Sequence, residues 1–222
     1  MVMSTKLSVL VCVHSNDDLH DQYFEEALRS LDEQTFKDFE LVIVFDECRK
    51  ETINILNKFN FNNLIYFERP QKQGLAIAKN FGFQKCSGEL IAFLDADDKS
   101  LPSRFEKQVQ YLNTNHEVSF CATESYDMDH EGLNIQPNCF QIGHFNTHEQ
   151  ILAILPKQNV LCHGSMMIRA KALNDLGGYS ESLDYRGKED WELWLRAMSR
   201  GYKFYKIPER LYIWRCGTSV SR

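Results

Sequence analysis

The run Asp95-Ala96-Asp97-Asp98 closes a strongly apolar segment, Glu89-Leu90-Ile91-Ala92-Phe93-Leu94. Side chains two apart on extended backbone point the same way, so Asp95 and Asp97 converge on one point if that segment is a strand. Carboxylates held that close repel one another unless a proton or a cation stands between them. Hard oxygen donors of this kind suit Mg2+ or Mn2+, which usually share their coordination with phosphate oxygens. The same residue types also make a solvated acidic turn before a helix capped by Ser100 or Ser103.

Other groups could join that chemistry. Asp46 follows the apolar run Leu41-Val42-Ile43-Val44-Phe45. At a strand end a carboxylate can accept hydrogen bonds from a base or ribose, or it can cap the next helix. Lys72-Gln73-Gly74-Leu75-Ala76-Ile77-Ala78-Lys79-Asn80 puts a glycine at a helix start, where free N–H groups and the positive dipole end attract an anion. Lys72 and Lys79 would add charge for a diphosphate, while Ala76, Ala78 and Gly82 would also let the helix pack closely on a sheet. Neither GxxxxGK[ST] nor GxGxxG is present, which excludes a P-loop and a dinucleotide fingerprint.

Glu189 and Asp190 begin Glu189-Asp190-Trp191-Glu192-Leu193-Trp194-Leu195-Arg196, a helical pattern. Carboxylates at a helix start stay ionised, and an ionised aspartate facing a water-poor cleft serves as a general base. Ordinary first-turn acids that only stabilise the helix have the same sequence. Trp191 and Trp194 fit the core at helical spacing better than a ligand platform. His163, in Cys162-His163-Gly164-Ser165, could line an acceptor pocket or be a satisfied core histidine. The histidines show no HExxH or paired metal spacing, and no GxSxG elbow occurs.

These groups need a frame, and the hydrophobic pattern supplies one. Leu7–Val13 is a nearly unbroken apolar run, as in a strand buried on both faces. Phe24, Ala27, Leu28 and Leu31 recur at helical spacing. Leu41–Phe45, Leu64–Phe67 and Glu89–Leu94 predict further strands, with helices over Glu51–Phe59 and Gly74–Lys85 between them. Strand and helix alternating at this spacing predict an α/β fold, a mostly parallel central sheet with helices on both faces. Ligands bind such sheets at the carboxyl ends of the strands. That rule selects Val13-His14-Ser15, Phe45-Asp46-Glu47 and the acidic run at Asp95.

The second half is less regular. It predicts a helix over Ser103–Asn113, strands over Val118–Thr123 and Leu133–Ile142 with a turn at Asp127–Gly132, and a strand over Leu161–Arg169. A short helix stopped by Gly177-Gly178 and a helix through Trp191, Trp194, Leu195 and Met198, closed by Gly201, complete it. The segment from Asp127 to Val160 carries no functional pattern. With no repeat, linker or proline-rich boundary, the chain is expected to be one domain over residues 1–222, with halves at 1–100 and 101–222.

Composition bounds the function. Of the 222 residues, 43% are hydrophobic and 25% charged, enough apolar material for a proper core and too much for a disordered chain. A formal net charge of -6 argues against a nucleic-acid-binding surface, though not against a local basic pocket for a nucleotide. Seven scattered cysteines without a CxxC pair imply reduced thiols rather than a disulfide framework or structural zinc. No run approaches the roughly 20 apolar residues of a membrane span, and Met1 to Ser8 lacks a signal-like apolar stretch. The expectation is a soluble, cytoplasmic domain.

Taken in order, the motifs resemble the family 2 glycosyltransferases of the GT-A fold, which build bacterial surface polysaccharides. Ser8-Val9-Leu10-Val11-Cys12-Val13-His14 is similar to the family's opening strand, and Phe45-Asp46 to its pair of aspartates with only the second kept. Gly74-Leu75 through Ala78-Lys79-Asn80-Phe81-Gly82 resembles G-L-x-x-A-R-N-x-G, with lysine for arginine. Leu94-Asp95-Ala96-Asp97-Asp98, followed by Leu101-Pro102, resembles the metal-binding D-x-D segment. Gly177-Gly178-Tyr179-Ser180-Glu181 and Glu189-Asp190-Trp191 resemble the acceptor-side G-G-[FY]-x-E and E-D-W pair.

The resemblance implies a nucleotide-sugar-binding first half and an acceptor-binding second half. It implies that Asp46 holds the base, Asp95 the ribose or metal, and Asp97 the metal, Mn2+ or Mg2+. Val13, His14, Lys72, Gly74, Lys79 and Ala96 would complete the nucleotide-sugar site. Asp190 would deprotonate the acceptor hydroxyl, with His163, Glu189 and Trp191 on the acceptor side. The implied reaction is a single inverting displacement on a nucleotide sugar, UDP being the family's commonest nucleotide. The implied acceptor is a saccharide or a polyprenol-linked saccharide, met at the inner membrane face by at most peripheral contact.

There are departures. His14 and Ser15 replace the usual tyrosine and asparagine, and Lys72 replaces a common asparagine. Tyr212-Ile213-Trp214-Arg215-Cys216-Gly217-Thr218-Ser219-Val220-Ser221 resembles the closing Y-x-x-H-x-G-S-x-S, with Arg215 where histidine is usual. The Q-x-x-R-W run of processive polymerases is missing, which favours single-sugar transfer. The altered motifs motivate an alternative, a non-catalytic nucleotide-sugar-binding or scaffolding module. A nucleotidyltransferase would need a glycine-rich, arginine-bearing loop after the first strand, and His14-Ser15-Asn16-Asp17-Asp18 is none.

Overall fold

The computed structural model describes residues 6–138 and 145–217. The first four strands are β1 (Leu7–Val13), β2 (Phe39–Asp46), β3 (Leu64–Arg69) and β4 (Leu90–Asp95). They run parallel in the order β3-β2-β1-β4. Helices α1 (Asp18–Asp32), α2 (Lys50–Asn54) and α3 (Leu75–Phe83) make the crossovers. The helix expected over Glu51–Phe59 is shorter: α2 gives way to a 3-10 turn over Ile55–Lys58.

The second half continues the same sheet. It holds β5 (Lys99–Ser100), α4 (Arg104–Thr114), β6 (Val118–Met128), β7 (Gln136–Pro137), α5 (His148–Ile154), β8 (Met167–Arg169), α6 (Ala170–Asp175), α7 (Glu189–Ser199) and β9 (Lys203–Arg215). The path is β3-β2-β1-β4-β8-β6-β9-β5, with β7 paired to β6. β8 is antiparallel to β4 and β6, while β6 and β9 pair in parallel, so the sheet is mixed beyond β4.

Period-two alternation divides the core. Leu7, Val9, Val11 and Val13 of β1 face a cluster with Phe24, Leu28 and Leu31 of α1 and Phe105 of α4. Leu10 faces the other, with Ala78 of α3, Leu173 of α6 and Leu193 and Trp194 of α7. A Cβ at Gly82 would lie 2.4 Å from Leu10 Cδ1, so α3 approaches the sheet as closely as its small residues suggest.

Several expectations need correction. Leu161–Arg169 is not one strand: His163–Ser165 forms a 3-10 turn and only Met167–Arg169 pairs. The Gln108 amide donates to the Ser165 carbonyl at 3.0 Å, so a side chain replaces a ladder partner there. The expected turn at Asp127–Gly132 starts later, because β6 runs on through Met128. Of Leu133–Ile142, only Gln136–Pro137 pairs, and 139–142 lie outside the described residues, as do Thr218–Ser221 of the closing motif. Strand β9 and helix α5 fall where the sequence pattern assigns no element.

Candidate active site

The carboxyl ends of β1, β2 and β4 meet at one cleft of about 780 Å³. In register, Val13 stands beside Phe45 and Cys12 beside Asp95, which brings the three strand ends level. Of the residues that the resemblance assigns to the site, all but Trp191 line this cleft: Val13, His14, Asp46, Lys72, Gly74, Lys79, Asp95, Ala96, Asp97, His163, Glu189 and Asp190. Trp191 packs against the apolar cluster around α7 and donates its indole N–H to the Leu155 carbonyl at 2.8 Å.

Asp46 is buried and caps nothing; Arg49 is the residue before α2. Its Oδ1 stands 3.3 Å from the Arg69 guanidinium as an ion pair, and neither atom makes a hydrogen bond. A buried carboxylate oxygen in that state retains capacity for a donor from the cleft. His14 donates from Nδ1 to the Asp46 carbonyl at 2.8 Å, which ties the ends of β1 and β2.

The acidic run forms a tight turn in which Asp98 N donates to the Asp95 carbonyl at 3.1 Å. Its members have different fates. Asp98 is buried, accepting from Tyr212 OH at 2.6 Å and from Arg215 N at 2.7 Å. Burial, then the charges of Asp97 and Asp95, push its carboxyl well above the usual range. Burial would also raise Asp95, but the neighbouring His163, then the charges of Lys79 and Arg104, outweigh it and hold Asp95 at about 2. Ser103 makes no side-chain cap for α4, so helix capping does not explain this turn.

Beneath Asp95 lies a polar chain of buried groups. His163 Nδ1 stands 3.6 Å from Asp95 Oδ1 and 3.4 Å from Lys79 Nζ, and Nε2 stands 2.9 Å from Tyr179 OH. Lys79 therefore sets its charge under the acidic turn rather than on the surface. Gly74, at φ +106, gives α3 its entry geometry, which L side chains rarely adopt.

Asp190 sits in the first turn of α7. Asn159 donates to its Oδ2 at 2.9 Å and the backbone N–H of Trp191 to its Oδ1 at 2.7 Å, so the carboxylate has a fixed direction. The two halves are stitched by Asn80: its Nδ2 donates to the Tyr179 carbonyl at 2.9 Å and to Glu181 at 2.8 Å, and its Oδ1 accepts from Tyr179 N at 2.8 Å. Asn159 lines the cleft, and Arg69 and Tyr212 stand behind it against Asp46 and Asp98; the sequence marks Tyr212 only as part of the closing motif and the other two not at all. Asn159 lies in the patternless segment, and nothing local marks it.

Among the described residues, no cluster of three or more His, Cys, Asp and Glu side chains is placed to hold a metal ion. Asp95 and Asp97 supply two carboxylates at the cleft. That donor set fits a Mg2+ or Mn2+ whose other ligands are diphosphate oxygens and water.

Residues 8–177 match the family model described as Glycosyl transferase family 2. An uncharacterized glycosyltransferase of Methanocaldococcus jannaschii is 29% identical over 201 residues, covering 88% of this chain and 66% of that protein. The Escherichia coli UDP-Glc:alpha-D-GlcNAc-diphosphoundecaprenol beta-1,3-glucosyltransferase WfaP is 27% identical over 199 residues, covering 89% of this chain and 72% of its own. The fold is shared with solved glycosyltransferases. Staphylococcus aureus TarS 1-349 in complex with UDP superposes with a TM-score of 0.75 at 20% identity, over 95% of this chain and 60% of that one. The Pyrobaculum calidifontis mannosyltransferase PcManGT in complex with GDP-Man and Mn2+ gives 0.72 at 16%, over 99% and 59%. The chain thus spans just under two thirds of the archaeal relative's length and less of either solved chain.

Proposed function

Because the chain belongs to glycosyl transferase family 2, we propose that it moves one sugar from a nucleotide sugar to a saccharide or lipid-linked saccharide, inverting the anomeric carbon. One observation carries this reading: Asp190 and the Asp95-Ala96-Asp97 turn line the same cleft, from opposite halves of the chain. A fixed carboxylate thus faces the space in which a sugar diphosphate would sit.

Asp46 accepts from the nucleotide base, with Val13 and His14 beside it. The start of α3 at Gly74 and the charge of Lys72 receive the diphosphate. Asp95 and Asp97 hold Mg2+ or Mn2+, which when bound neutralises the leaving diphosphate. His163 and Lys79 keep Asp95 ionised and in place. Asp190 takes the proton of the acceptor hydroxyl as that oxygen bonds to the anomeric carbon. The bond from that carbon to the diphosphate oxygen breaks with its electron pair leaving on the nucleoside diphosphate. Attack from the face opposite the leaving group inverts the centre.

UDP is the proposed nucleotide, supported by the UDP complex of TarS and the donor in WfaP's name. No helix of the described residues is long and apolar enough to cross a membrane. A cytoplasmic site with peripheral contact at the inner membrane face is the arrangement proposed for a lipid-linked acceptor.

A thermal-shift panel of UDP, GDP, CDP and dTDP, with and without manganese, tests the donor site. One nucleotide should stabilise the chain only with metal, and Asp97→Ala should abolish the shift. Asp190→Ala should keep the shift and lose transfer. A folded, metal-loaded protein that consumes no nucleotide sugar across a broad donor and acceptor panel would sink the proposal.

A further inference from the structure

Part of the cleft's lining is both apolar and exposed. Leu75, Leu183 and Tyr185 line the cleft and are each more than a third exposed, Leu183 at 83%. Leu183–Tyr185 is a 3-10 turn with its backbone bonded locally. Tyr185 N donates to the Ser182 carbonyl at 3.1 Å and Lys188 N to the Tyr185 carbonyl at 2.8 Å. The Ser182 hydroxyl accepts from Asp184 N at 3.3 Å. The turn is therefore a built platform.

The side chains on it have no work inside the fold. Among the described residues, the Tyr185 hydroxyl makes no hydrogen bond and its ring meets no other ring, while the exposed Arg186 guanidinium meets no carboxylate. Elsewhere on the surface, Arg29, Lys58, Lys107 and Lys171 each sit against one. In a chain of net charge -6, an unpaired cation beside a cleft is a local attraction for an anion. Only Gly187 and Lys188 separate Arg186 from Glu189 and Asp190, and all of these but Lys188 line the cleft, so a group resting on the turn lies beside the proposed base. Trp191 does not line the cleft; it packs against the cluster around α7 with its indole N–H on the Leu155 carbonyl.

Three chemistries stand together on four residues. An aromatic ring stacks on the apolar face of a sugar. A guanidinium pairs with phosphate oxygens, and an exposed leucine covers hydrocarbon. We infer that the turn Leu183–Arg186 is the acceptor subsite of the cleft, and that it takes a saccharide joined through phosphate to an apolar chain. Tyr185 carries the sugar, Arg186 the phosphate and Leu183 the chain. The inference rests on the transferase reading and adds to it the residues that select the acceptor.

The test is titration calorimetry on the full chain, saturated with manganese and the nucleotide that the thermal-shift panel selects, so that the donor site is filled. The probes are decyl glucosyl diphosphate, glucosyl phosphate and decyl diphosphate. The whole probe should bind about tenfold or more tighter than either fragment. Leu183→Ser should remove its advantage over glucosyl phosphate. Tyr185→Ala should remove its advantage over decyl diphosphate, and Tyr185→Phe should restore it. Arg186→Gln should weaken all three probes by about tenfold, with nucleotide affinity unchanged in every variant. Variants that bind the whole probe like the wild type, or a nucleotide-loaded chain that binds none, overturn the subsite and leave the transferase reading standing. A chain that binds no nucleotide overturns both.

Discussion

Arg215 donates from Nε to the backbone carbonyl of Asp97 at 2.9 Å, so the end of β9 grips the acidic turn from behind. The same side chain is fully buried, pairs with Glu26 at 2.7 Å and lies 4.0 Å over the Tyr23 ring. Its backbone N–H holds Asp98. The residue that departs from the family's closing histidine is thus a strut under the carboxylates.

Removing that strut should cost folding free energy first. Arg215→Ala takes their donor from the Asp97 and His130 carbonyls, leaves Glu26 with Lys99 alone and opens a cavity, and is expected to lower stability by about 3 kcal/mol. Arg215→His, which restores the family's usual residue, is too short to reach all of these acceptors and should also destabilise. Urea unfolding measures both. Wild-type stability in Arg215→His would show that the grip carries little.

Asp21, in the first turn of α1, should give stability a pH dependence. Burial would raise its carboxyl, but hydrogen bonds from Thr52 at 2.6 Å, Ser15 at 2.7 Å and Arg49 at 3.0 Å, with the Arg49 charge, hold it below the ordinary range. A depressed folded-state carboxyl contributes stability above its unfolded pKa and loses it as pH falls through the folded one. Asp21→Asn is expected to cost about 2 kcal/mol near neutrality. The gap from wild type should close as pH drops below about 4. A gap constant with pH would show that the loss is one of packing.

The sequence carries the first half of the chain well and the second half poorly, for physical reasons. β1, β2 and β4 are buried on both faces, so their apolar runs are unbroken, and the rule of strand ends then locates Asp46 and Asp95. β9 has Lys203, Lys206, Glu209 and Arg210 along it, with Pro208 in its middle, and its pairing with β6 shifts register between Thr123 and Ser125. No local periodicity marks such a strand. α5 is seven residues long, and its one local signal is the capping box of Thr147 with Gln150. Around His163 the apolar run suggests a strand, yet bonds from Gln108 and Ser165 side chains support a turn instead.

Asn80 offers a way to separate binding from transfer. Its side chain hydrogen-bonds both Tyr179 and Glu181, and it joins α3 to the loop leading toward Asp190. Asn80→Ala should leave nucleotide-induced stabilisation near wild type while the base drifts from the donor. Transfer should fall by about 10- to 100-fold, the scale of a misplacement of an ångström. Equal loss of nucleotide binding and transfer would place Asn80 in the donor site itself.

Trp191 decides between a core and an acceptor role for the aromatic residue next to the proposed base. Its N–H reaches the Leu155 carbonyl and its ring lies in the cluster under α7, outside the cleft. Trp191→Phe keeps an aromatic ring but leaves that carbonyl unpaired, and should cost about 1–2 kcal/mol. The acceptor KM should not move, because the side chain does not line the cleft. Steady-state kinetics beside urea unfolding reads both quantities. A raised acceptor KM with stability intact would bring Trp191 into the cleft and return the acceptor platform to the start of α7.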